Sequence, residues 1–167
     1  MNSEPATKNI TGRWRNCQDC QLTGMEVQIY PKLHDLTAAS LFGHYKGVDI
    51  IITHAFFPIV AAHVKADEDN IPLFGWQDDG LLTMCNSPTV NHADVVSWFI
   101  DMRKRGFKIR QVGHDRKFCR EYFIGMKSAG FKIIDQPQYF YKKSEGFRYI
   151  EQSAKNGTLF LFAFRSF

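Results

Sequence analysis

The hydrophobic period of this chain switches near Asn91, and a chain that changes period has few architectures open to it. Before the switch three runs read as strands: "GMEVQIY" (24–30), "TAASLFGHY" (37–45) and "VDIIITHAFF" (48–57), the last two joined by a Lys46-Gly47 turn. They predict an antiparallel meander. After the switch, Asn91 can cap a helix with Asp94 as its third residue, and Val95, Trp98, Phe99 and Met102 follow at i, i+3, i+4 and i+7 before Gly106 stops it. A strand over Phe107–Gly113 comes next. Then a helix after Asp115 carries Phe118, Tyr122, Met126 and Ala129 along one face up to Gly130, and "FKIID" (131–135) is another short strand. A last helix is expected from about Ser144, with Phe147, Ile150 and Ala154 inward and a stop at Asn156-Gly157, ahead of a strand-like "TLFLFAF". The stretch from Pro58 to Val90 reads as an insertion or flap. Hairpin strands followed by alternating helix and strand predict an α/β fold with a mixed sheet and helices on its faces.

The length of 167 residues suits one domain with a true core. Residues 1–23, polar and aperiodic, read as an arm or linker, and 24–167 as the domain. With 44% hydrophobic and 23% charged residues the composition is globular rather than disordered. The net charge of +4 is clustered, in "RKRGFKIR" (103–110) and "RKFCR" (116–120). Such clusters point either to a polyanion or to solvated helix ends. Cys17-Gln-Asp-Cys20 has half the spacing of a zinc knuckle, but no second pair completes it. Four cysteines without a signal-like leader favour a cytoplasmic chain, and no apolar run is long enough to span a membrane.

"VGHDRKFCREYF" (112–123) puts Asp115 where a strand ends and a helix begins. In open α/β sheets ligand sites collect at strand ends. A central first strand would lie beside the strand after the first helix, and Glu26, on that first strand, is the acid that could meet Asp115. Two neighbouring carboxylates repel, and the usual reason to bring them together is a divalent cation. Surrounded by Lys and Arg, such a pair fits phosphate chemistry, with Mg2+ or Mn2+ activating water. By spacing alone Asp115 reads more readily as a helix N-cap than as a metal ligand, and one residue can serve as both. Glu26 taken alone reads as a solvent-facing strand carboxylate.

The run from 106 to 159 resembles the C-terminal nuclease domain of tailed-phage terminase large subunits, through Gly113-His114-Asp115, Gly130, Gln138, Ser144 and Gly157. Upstream, "GMEVQIYPKLHDLTAASLF" resembles that family's first strand, with Asp35-Leu36-Thr37-Ala38 matching its Asp-Leu-Thr-Ala. "FFP" and "IPLFGWQDDGLLTMCNSPTVNHADV" are similar to the segment between the two acids. The resemblance implies a ribonuclease H-like fold and a two-metal (Mg2+ or Mn2+) endonuclease that cuts concatemeric viral DNA during packaging. Glu26 and Asp115 would be its catalytic and metal-binding acids. Double-stranded DNA would be held by Arg103, Lys104, Arg105, Lys108, Arg110, Arg116, Lys117 and Arg120. The implied partners are the terminase small subunit, the portal and the ATPase motor domain, in the cytoplasm of the host of a phage or prophage.

Three departures bear on activity. Glu stands at 26 where the family has Asp, with three additional residues before Asp35; the third acid of the family is not met before Phe167; and no Gly-x-x-x-x-Gly-Lys-Ser/Thr motif is present. The expectation is a nuclease half truncated before its last helix. The alternative is a catalytically silent descendant that keeps the fold and non-specific DNA or partner binding.

Overall fold

A computed structural model describes residues 22–25, 36–114, 120–136 and 140–163. Among these residues, seven strands and five helices follow in the order β1 (Leu22–Met25), β2 (Thr37–Tyr45), β3 (Val48–Pro58), α1 (Ile59–Asp69), α2 (Leu73–Asp78), β4 (Leu82–Cys85), α3 (His92–Lys104), β5 (Ile109–His114), α4 (Arg120–Ser128), β6 (Ile133–Asp135), α5 (Phe140–Lys155) and β7 (Leu159–Ala163).

The strands form one sheet in the order β4-β3-β2-β1-β5-β6, with β7 also paired to β3. β2 is antiparallel to both its neighbours, β1 and β3, while the β1–β5, β5–β6, β3–β4 and β3–β7 pairs are all parallel. This is the ribonuclease H-like arrangement, with one reversed strand in an otherwise parallel sheet. The predicted meander is present, since β2 and β3 pair residue for residue from Tyr45↔Val48 to Thr37↔Phe56. Lys46 and Gly47 both take positive φ in the tight turn between them, as a two-residue hairpin requires.

The stretch expected to be a flap is regular structure. α1, α2 and β4 occupy it, and Phe57, Ala61, Ala62, Leu73 and Leu82 form a second, smaller core there. Asn70, in the left-handed region at φ 51°, ends α1.

The main core lies between one face of the sheet and α3 with α4. Ala39, Leu41, Ile50, Ile52 and Phe56 point to that face, and Val95, Trp98, Phe99 and Met102 of α3 meet them as their spacing predicts. Asn91 caps α3 by accepting the Ala93 amide at 3.0 Å. Tyr122 and Met126 of α4 are fully buried, and Gly125 fits tightly against Val96 of α3.

α5 departs from expectation. It begins at Phe140 rather than near Ser144, and of the residues expected to face inward Phe147 is 69% exposed and Ala154 is exposed, while Ile150 is half-buried. From Ser144 to Lys155 the buried side chain is Ser153. The helix is fixed by polar contacts, in which Tyr149 (2.8 Å) and Ser153 (3.2 Å) donate to the Asp49 carboxylate at the start of β3.

Candidate functional site at the carboxyl edge of the sheet

β1 and β5 lie side by side at the centre of the sheet and run in the same direction, with Gly24 opposite Val112. Neighbouring strands are about 4.8 Å apart. The described ends of both strands, Met25 and His114, therefore share the carboxyl edge, where open α/β sheets gather their ligands. Glu26 and Asp115 are the next residues along the chain from these two ends, and both lie outside the described residues, as do Arg116 and Lys117.

The described surroundings of that edge are specific. Gly113 passes beneath the Gln136 side chain, and a Cβ at 113 would run into the Gln136 amide group. Gln136 also donates its backbone N–H to the His114 carbonyl at 2.9 Å, tying the end of β5 to the end of β6. His114 is buried and its ring meets Tyr122 edge-on at 4.7 Å. The glycine ahead of His114 thus leaves room for the Gln136 side chain. Asp135, directly opposite His114 in the β5–β6 register, is an exposed carboxylate at the same edge. Its position depends on a strand pairing, and "FKIID" carries no local mark of it. Oxygen donors at this edge suit Mg2+ or Mn2+ better than a soft metal. Among the described residues, no group of three or more His, Cys, Asp or Glu converges as a metal site.

The amino ends of α3 and α4 also lie at this edge, because each helix returns antiparallel to the strands it connects. Between them is an open groove of about 360 Å3 lined by Asn91, His92, Ser97, Ile100, Glu121 and Gly125. His92 and Glu121 face each other across it at 3.9 Å. Burial lowers the His92 pKa, and the Glu121 charge pulls it back up.

The basic residues divide between the two ends of the sheet. Arg120, exposed, opens α4 at the carboxyl edge. Arg103 and Lys104 end α3, Arg105 follows them, and Lys108 and Arg110 lie at the start of β5, at the amino edge. Arg103 is held there, donating to the Ala129 carbonyl at 2.9 Å with its guanidinium 4.5 Å from the centre of the Phe131 ring. Lys104 pairs with Asp101 at 3.2 Å. Cys85 is buried, and desolvation pushes its thiol up to about 11, away from the thiolate form a nucleophile needs. Cys17 and Cys20 lie outside the described residues. No described helix is long and apolar enough to cross a membrane.

A central pair of parallel strands beside one reversed strand defines a ribonuclease H-like domain. Among solved structures, the chain is similar to the large terminase of bacteriophage HK97, with a TM-score of 0.71 and 18% identity over 84% of this chain and 29% of that one. The large terminase of a thermophilic bacteriophage matches at a TM-score of 0.45 and 14% identity, over 81% of this chain and 27% of that one. The chain thus has the fold of a segment of the HK97 large terminase and spans less than a third of that protein's length. No protein-family model matches the sequence, and no curated protein matches it.

Proposed function

We propose that this chain is a terminase-type nuclease domain, a divalent-metal-dependent endonuclease acting on double-stranded DNA, with Glu26 and Asp115 as its first two metal-holding acids. The observation that carries the reading is the parallel register of β1 and β5, which brings Met25 and His114 to one edge of the sheet immediately ahead of those two acids in the chain. The likeness in fold to the HK97 large terminase supports it.

On this reading Glu26 and Asp115 hold Mg2+ or Mn2+ through oxygen donors, and the metal supplies water activation and charge stabilisation at the scissile phosphate. The chain's own residues position the acids. Gln136 braces the strand that leads to Asp115 through its backbone N–H, Gly113 leaves room for the Gln136 side chain beside it, and Arg120 offers a cation to the flanking phosphate at the head of α4. In a packaging machine the same domain would work beside an ATPase motor, a small subunit and a portal, in the cytoplasm of the host.

Incubating supercoiled plasmid with the purified chain and Mn2+ or Mg2+ tests the reading. The expected result is metal-dependent nicking that Asp115→Ala and Glu26→Ala both reduce to the protein-free background. Equal residual cutting by the parent chain and both variants would instead identify a catalytically silent descendant that keeps the fold.

A further inference from the structure

β7 is an edge strand. It pairs with β3 from Asp49↔Leu159 to Thr53↔Ala163 without a bulge, and among the described residues no strand lies along its other side. Asp49 donates its backbone N–H to the Thr158 carbonyl at 2.7 Å, which fixes the phase of the ladder. Alternate residues of a strand turn their backbone groups to opposite sides, so Phe160 and Phe162 bond to β3 while Leu159, Leu161 and Ala163 direct N–H and C=O outward. Both faces of this edge are open as well. Phe160 is 39% exposed on the face it shares with Ile50, and Leu161 is 68% exposed on the face it shares with Ile51. Soluble proteins blunt such edges with Lys, Pro or a bulge, and Leu159–Ala163 carries none of the three.

Outward N–H and C=O groups at every second residue are satisfied by another extended strand. The sequence of β7 matches itself. Leu159-Phe160-Leu161-Phe162 alternates, so an antiparallel second copy centred on Leu161 sets Leu161 against Leu161 and Phe160 against Phe162. Leu161 then forms a hydrogen-bonded pair on a two-fold axis, flanked on each side by a Leu159–Ala163 pair. Phe160 and Phe162 form the closer, non-hydrogen-bonded pair, an arrangement that aromatic side chains favour. The strand has no charge, so no like charges meet across it. A two-fold contact of this kind closes at two copies.

We infer that two copies of this chain pair antiparallel along β7, about a two-fold axis at Leu161, and join their sheets into one. β7 runs parallel to β3 and therefore to β1 and β5, so the carboxyl edges of the two copies point in opposite directions. The pairing does not depend on the nuclease reading. A foreign extended peptide is the competing occupant, and the Leu-with-Leu, Phe-with-Phe match favours a second copy.

Sedimentation velocity of the full chain over a range of concentrations should show a species of twice 19.3 kDa growing at the expense of the single chain. Leu161→Lys and Leu161→Glu each set like charges against each other at the axis, and each alone should stay at the single mass. Mixed in equal amounts they should recover the doubled mass, because Lys then meets Glu. Leu161 is exposed enough to admit either side chain, and circular dichroism checks that both variants are folded. Amide exchange on the parent needs no variant: at Leu159 and Leu161 it should slow as concentration rises, while at Phe160, already bonded to β3, it should not change. A doubled mass kept by each variant alone, or a mixture that stays at the single mass, would overturn the inference. So would a parent of single mass at every concentration, and protection of its Leu159 and Leu161 amides by a Thr-Val repeat peptide would then assign the edge to a foreign strand.

Discussion

Gly113 and His54 show how single residues set conditions for the rest of the molecule. At 113 any side chain meets the Gln136 amide, the far end of a flexible chain. Gly113→Ala should therefore cost little stability, about 1 kcal/mol, yet move the end of β5 because Gln136 must swing aside. Metal-dependent nicking should fall more than stability does, and Gln136→Ala added to Gly113→Ala should restore both. A double variant no better than the single one would show that the backbone, not the amide, is what the glycine serves. His54 is a different case. It is buried on the core face, stacked on Trp98 with ring centres 6.1 Å apart, and its Nε2 is 2.8 Å from the Thr83 hydroxyl. Its Nδ1 meets no hydrogen-bond partner among the described residues. Burial lowers its pKa from 6.5 to about 4, so the ring is neutral when folded. The unfolded chain then binds more protons between those values, and stability present above pH 6.5 is lost as pH falls toward 4. At about 1.4 kcal/mol per pH unit the loss reaches about 3 kcal/mol. Urea titrations from pH 7 to pH 4 should show it, and a folded His54→Gln variant should flatten the profile across that window.

At the scale of elements, α5 depends on the Asp49 carboxylate. Burial by itself raises the Asp49 pKa, but hydrogen bonds from His44 at 2.7 Å, Tyr149 and Ser153 outweigh it and hold the carboxyl below its ordinary value of 3.8. A depressed carboxylate contributes stability that is present above pH 3.8 and lost as pH falls through the lower folded value. Asp49→Asn should therefore loosen α5 and β7 first, seen as faster amide exchange over 144–163 while α3 stays protected. Uniform acceleration across the chain would show instead that the contact supports the whole fold. This helix also marks where the sequence stops being legible. α3 was readable because four large apolar residues recur at helical spacing, and β2 and β3 because strand alternation and a Lys-Gly turn are local signals. α5 was placed with the wrong residues inward because its anchor is a carboxylate 104 positions away in the chain from Ser153. α1 was missed because its buried residues are Ala61 and Ala62, too small to give a strong periodic contrast. At the carboxyl edge, a strand ending near His114 and a helix after it are legible from the strand alternation before Gly113 and from Tyr122 and Met126 at helical spacing. Asp135 and the Gln136 brace are not, since both follow from the β5–β6 register.

For the whole molecule, charge and topology combine into a statement about DNA. The net charge of +4 is modest, so for any polyanion what matters is where the cations stand. β5 separates Arg120 at the carboxyl edge from Arg103, Lys108 and Arg110 at the amino edge. Contacts from such long side chains to phosphates carry no base information. Binding of the chain to duplex DNA should therefore weaken steeply with salt and differ little between unrelated sequences. Each phosphate neutralised releases condensed counterions and contributes about −0.9 to the slope of log K against log salt, so four engaged cations predict a slope of about −3.6. Anisotropy titrations on two duplexes of unrelated sequence, repeated from about 50 to about 200 mM salt, measure both properties at once. A shallow slope with strong preference for one sequence would mean that base edges are read, and the cations described above would then be the wrong groups.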